Sequence, residues 1–74
     1  MDSTEFMCVL IHELDKKSFI GIEVHKIYSK SKKVFVFIIS AERKGKNYTF
    51  SFNVKENCLN YSTIEEIVNW YSMK

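Results

Sequence analysis

The sequence predicts an α+β domain, an antiparallel meander of three or four strands with a C-terminal amphipathic helix. Three observations carry this. Residues 47–55, "NYTFSFNVK", alternate strictly, with Tyr48, Phe50, Phe52 and Val54 on one side and Thr49, Ser51 and Asn53 on the other, the pattern of a strand with one buried face. Residues 62–73, "STIEEIVNWYSM", repeat apolar side chains at Ile64, Ile67, Val68 and Tyr71, one face of a helix. Between 34 and 39 stand six consecutive apolar residues, Val34, Phe35, Val36, Phe37, Ile38 and Ile39, a strand with no wet face.

The N-terminal stretch "EFMCVLIHEL" supports two readings. As a helix it gathers Phe6, Met7, Leu10, Ile11 and Leu14 on one face, with Asp2 and Glu5 available as a cap. As a strand it is favoured by its Val, Ile, Cys and Phe content. Strand first gives ββββα, the preferred order; helix first gives αβββα, the alternative. Residues 19–28, "FIGIEVHKIY", form the next strand. Ile20, Ile22, Val24 and Tyr28 share a face interrupted by Lys26, and Gly21 marks a bulge or close approach. "SKSKK" turns this strand into the 34–41 strand, and "ERKGK" turns that one into 47–55. In the final helix Ser62 and Glu65 match a capping box, which places Glu65 and Glu66 in the first turn. Trp70 falls at the edge of the apolar stripe.

Seventy-four residues read as one compact domain, 1–74. A chain of this length buries only about 60% of its unfolded surface, so a supplement to the core such as oligomerisation is expected. The composition, 46% hydrophobic and 15% aromatic, is that of a folded protein. The acidic start "MDSTEF" is unlike a signal peptide, and "FMCVLI" and "VFVFII" are too short to span a bilayer. Cys8 and Cys58 form no disulfide framework and read as reduced, buried thiols of a cytoplasmic protein.

Charge is distributed unevenly. Residues 16–55 hold ten basic side chains against Glu23 and Glu42, a net of +8, while residues 1–15 carry −4 and residues 56–74 carry −2. Such asymmetry points to an electrostatic contact with a partner; lysines at turns and edges also simply discourage stray strand pairing. The residues nominated for partner contact are Lys30, Lys32, Lys33, Arg43, Lys44 and Lys46 in basic turns, and Glu65 and Glu66 on the helix. In a meander Lys30, Lys32 and Lys33 gather near one sheet end with Lys26. Lys16, Lys17, Arg43, Lys44 and Lys46 gather at the other. Asp2 and Glu5 join Glu65 and Glu66 in a competing reading, in which carboxylates imitate phosphates.

No catalytic constellation is visible. His12, His25, Cys8 and Cys58 show no metal-ligand spacing, there is no glycine-rich phosphate loop, and adjacent Glu65 and Glu66 diverge on a helix. The expectation is therefore no enzyme activity, no metal and no cofactor. The six apolar residues 34–39 are the nominated self-association segment. A single helix covers one sheet face, and a second protomer is the simplest cover for the other.

The αβββα order is similar to that of the double-stranded-RNA-binding domain. That family carries a basic KKxAK-type stretch at the start of its last helix, where this chain reads "STIEEIVNWY". The proline-free, Lys-, Ile- and Asn-rich composition also resembles that of small phage-encoded host-takeover inhibitors. This second resemblance implies a compact binder that occludes a surface on host nucleic-acid machinery, of the sliding-clamp, polymerase or CRISPR-nuclease class, in the bacterial cytoplasm. The function expected is a protein-binding module, homodimeric, whose partner is a larger replication or defence factor. A small nucleic-acid-binding domain using the basic turns is the alternative, and a structural subunit is third.

Overall fold

A computed structural model describes residues 1–74. The order is α1 (Ser3–Lys16), β1 (Ile20–Ser29), β2 (Val34–Arg43), β3 (Lys46–Lys55), a 3₁₀ turn (Glu56–Cys58) and α2 (Tyr61–Ser72). The antiparallel meander with its C-terminal helix is present, and of the two orders the chain adopts αβββα, so the preferred four-strand reading is corrected. The sheet order is β1-β2-β3.

Residues 3–16 are helical because their largest apolar side chains recur every four residues. Phe6, Leu10 and Leu14 are completely buried, whereas Cys8, off that stripe, is exposed. A strand would have pointed Phe6, Cys8 and Leu10 the same way. The Asp2 carboxylate caps the helix by accepting the Glu5 N–H at 2.7 Å. At the other end Lys17 closes the helix, and Ser18 takes a left-handed φ of 70° before β1.

β1 and β2 pair with Val24 opposite Ile39 and Tyr28 opposite Phe35. The register shifts between Ile20 and Glu23, where Gly21 has φ 59°, so the bulge read from Gly21 is present. The bulge leaves Ile20 61% exposed, off the face it was expected to share with Ile22 and Val24. β2 and β3 pair from Val34–Lys55 to Arg43–Lys46. Their turn is only Lys44-Gly45, both at positive φ, the two-residue type that matches the strand twist.

Both helices lie on one face of the sheet. Phe6 of α1 stacks on Phe37 with ring centroids 4.9 Å apart, and Trp70 and Tyr71 of α2 cover Phe50 and Phe52. The helices run in the same direction. At one end the Met1 ammonium donates to the Leu59 carbonyl beside α2; at the other, Arg43 reaches the C-termini of both helices.

The final helix begins two residues earlier than a Ser62 cap implies. Asn60 is the N-cap, its side chain accepting the Thr63 N–H at 2.9 Å. Glu65 and Glu66 therefore fall beyond the first turn, and the capping-box reading is corrected. The stripe itself stands, with Ile64, Ile67, Val68 and Tyr71 all buried.

Candidate functional site

Strand alternation sorts the 34–39 segment into two sets. Phe37 and Ile39 are fully buried beneath the helices, and Phe35 is half-buried beside them, so Phe37 and Ile39 have no surface to offer a second copy. Val34, Val36 and Ile38 point to the opposite, helix-free face. The registers place Ser29, Ile27 and His25 beside them on β1 and Lys55, Asn53 and Ser51 on β3. Ser40 and Thr49 continue the face, joined by a 3.1 Å hydroxyl bond.

The helix-free face is thus an apolar stripe set among polar side chains. Val34, Val36 and Ile38 are half-buried by their neighbours, while Ile27 is 59% exposed. Its charged side chains, Glu23, Glu42 and Lys55, stand toward the ends of the strands. Nothing in the fold covers it, because α1, the one element that could have done so, joins α2 on the other side.

The basic residues separate into two groups at opposite ends of a molecule 38 Å long. Lys30, Lys32 and Lys33 lie in the β1–β2 turn. Lys32 and Lys33 line a small hollow of about 280 Å³ with Lys55, Glu56 and Asn57, so an acid is mixed with the lysines. Lys44 and Lys46 flank Gly45 at the far end, near Lys16 and Lys17. Lys26 is drawn away from the first group by its 2.6 Å bond to the Ser3 hydroxyl.

Arg43 has a structural occupation. Its guanidinium donates to the Ser72 carbonyl at 2.7 Å and to the Lys17 carbonyl at 3.4 Å, and lies 4.4 Å above the Phe19 ring. A cation at the C-terminal ends of two helices answers both dipoles at once. The acidic set is dispersed. Asp2 is committed as a cap, Glu65 and Glu66 are exposed on α2, and Glu66 lines a groove with Trp70.

That groove was not read from the sequence. It runs between α2 and the outer edge of β3, has a volume of about 440 Å³, and is lined by Phe50, Phe52, Val54, Ile67 and Trp70 among others. Trp70 is 40% exposed and stands edge-on to Phe50 and Phe52, at 4.9 and 5.2 Å between centroids. The signal lay in Trp70 at the margin of the helical stripe, but periodicity does not reveal which strand a marginal residue overhangs.

Cys8 and Cys58 are both free thiols. Cys8 is exposed and Cys58 half-buried, so the expectation of two buried thiols is corrected, because the helix turns position 8 outward. The fold brings no three of His, Cys, Asp and Glu around a common point that could hold a metal ion. No helix is long and apolar enough to cross a membrane. No family model, curated protein or solved structure matches the chain.

Proposed function

We propose that this chain is a small protein-binding module that lays the helix-free face of its sheet against a flat, uncharged patch on a larger protein. One observation carries the reading. The apolar stripe of Ile27, Val34, Val36 and Ile38 has no cover in the fold, and the centre of its face bears no lysine or arginine. A face built for nucleic acid needs cations directed at phosphates; this one offers a single lysine, Lys55, at its end and one imidazole, His25. An apolar centre with a polar rim instead matches the anatomy of protein interfaces. The resemblance in size and composition to phage host-takeover inhibitors extends the proposal. The target class is then host replication or defence machinery in the bacterial cytoplasm, and the action is occlusion.

The test is affinity recovery from a bacterial lysate with and without nuclease, using the wild type beside Val36→Lys and Ile38→Lys. One stable protein partner, insensitive to nuclease and lost in both variants, is expected. Recovery that both variants retain would place the contact elsewhere.

The β1–β2 turn favours a second reading, a nucleic-acid contact through Lys30, Lys32 and Lys33 together with Lys55. In that case nuclease abolishes recovery, Lys32→Glu with Lys33→Glu removes binding, and affinity falls steeply with salt.

A further inference from the structure

The two edges of the sheet are not alike. β1 carries His25, Glu23 and Lys26 along its middle and a bulge at Gly21, devices that keep an edge from pairing. β3 carries neither. Between Lys46 and Lys55 its eight residues, "NYTFSFNV", are uncharged, and its pairing with β2 runs without a register shift. Beside this open edge lies the groove floored by Phe50 and Phe52 and overhung by Trp70. An unprotected edge strand next to an apolar groove accepts an extended segment, whose main chain continues the sheet and whose alternate side chains enter the groove.

We propose that the segment is β3 of a second copy, paired antiparallel about a two-fold axis at Ser51, so that two protomers share one six-stranded sheet with all four helices on the same side. β3 itself supplies what the groove requires, apolar side chains at every second position and no charge between its ends. The register follows from its lysines. Centred on Ser51, Phe50 of each copy faces Phe52 of the other, Tyr48 faces Val54, Thr49 faces Asn53, and Lys55 faces Asn47. Centring on Phe50 would set Lys46 against Val54, and centring on Phe52 would set Tyr48 against Glu56. Each contact occurs twice, as a two-fold interface requires. Aromatic pairs opposed across strands, with a tryptophan covering them, are the side chains that dominate such interfaces. Glu66, the one charged residue lining the groove, is the cost of the arrangement, because it approaches its own copy.

The pairing deepens the binding-module reading and depends on it for its purpose, since it doubles the helix-free face into one continuous surface. The contact itself rests on β3 and Trp70 alone. In this arrangement the copies meet along the free edge of β3 and not through the open face of the central strand.

Sedimentation at high micromolar concentration is expected to give twice the 8.8 kDa chain mass. Emission from the single tryptophan should shift to the blue as concentration rises and Trp70 leaves water. Ser51→Lys sets two like charges face to face and is expected to give a folded monomer, while Glu66→Gln should tighten the dimer several-fold. The register is read with Ser51→Cys in a background of Cys8→Ser and Cys58→Ser. Directly opposed Cβ atoms lie about 4.5–5.5 Å apart, close to disulfide reach. Mild oxidation should therefore cross-link Ser51→Cys at least tenfold faster than Asn53→Cys. A wild-type monomer at every concentration, or equal cross-linking at the two positions, overturns the pairing. Ile27→Lys separates this from the proposed function. It lies on the far strand, so the dimer should survive while the larger partner is lost. Loss of the dimer in Ile27→Lys would mean that the copies meet face to face and not edge to edge. A dimer with no larger partner would sink the proposed function and leave the edge pairing standing.

Discussion

Phe6 and Phe37 stack with their ring centroids 4.9 Å apart and their planes 28° from parallel. The contact joins the segment whose secondary structure was ambiguous to the centre of the apolar run that raised the question of cover. Both rings are fully buried.

Truncating either ring tests this contact. Phe37→Ala or Phe6→Ala should cost about 3–5 kcal/mol, against a total stability of roughly 4–11 kcal/mol for a chain of this length. Either variant is expected to be largely unfolded or close to it, and circular dichroism with urea titration reads this directly. Phe52→Ala should cost less, because Phe52 is only half-buried. Equal losses at Phe37 and Phe52 would show that the core is not centred where Phe6 meets β2.

The start of α2 makes a second prediction. Asn60→Ala removes the side chain that caps the helix and should cost about 1 kcal/mol. Ser62→Ala lies inside the helix with no capping bond and should fall within about 0.5 kcal/mol of wild type. Chemical denaturation of the two variants decides the matter, and the reverse order would restore Ser62 as the cap.

Arg43 supports a third. Arg43→Ala loses a charged hydrogen bond to the Ser72 carbonyl and the stacking over Phe19. A loss of about 1.5–3 kcal/mol is expected. Lysine is not an adequate substitute, since one ammonium cannot reproduce the planar fork that reaches both helix ends. If Arg43→Lys matches wild type in urea, the guanidinium geometry is unimportant.

Tyr71 gives a pH dependence. Its phenol is buried between β2 and β3, where its hydroxyl can donate to the main-chain carbonyl of Ile39 at 3.3 Å or to that of Tyr48. Burial pushes its pKa up, with a smaller opposing effect from a backbone hydrogen bond. The folded state therefore holds this proton more tightly than the unfolded state does. Its contribution is complete below the unfolded value of about 10 and declines as pH rises through the folded value. Wild type should lose stability above about pH 10 more steeply than Tyr71→Phe, which has no proton to release there. Thermal melts of both proteins across that range check the sign, and parallel curves would show that the phenol titrates as freely as in the unfolded chain.

Local pattern determined much of this protein. The alternation of 47–55 and the stripe Ile64, Ile67, Val68 and Tyr71 identified β3 and α2, because each element buries one face and its period is written in the residues that do so. Gly21 marked the bulge for a similar reason, a backbone conformation that other side chains resist. Tertiary structure decided what local pattern left equal. Residues 3–16 could serve as strand or helix, and the helix buries Phe6, Leu10 and Leu14 together in one core with Phe37 and Ile39, a complementarity no window of one segment contains. The same placement put both helices on one face, leaving Val34, Val36 and Ile38 uncovered and drawing Arg43 into the fold. It also set Trp70 over Phe50 and Phe52 beside an open edge. Which residues are free to meet a partner is a property of how elements stack, and stacking is fixed by contacts between residues far apart in the chain.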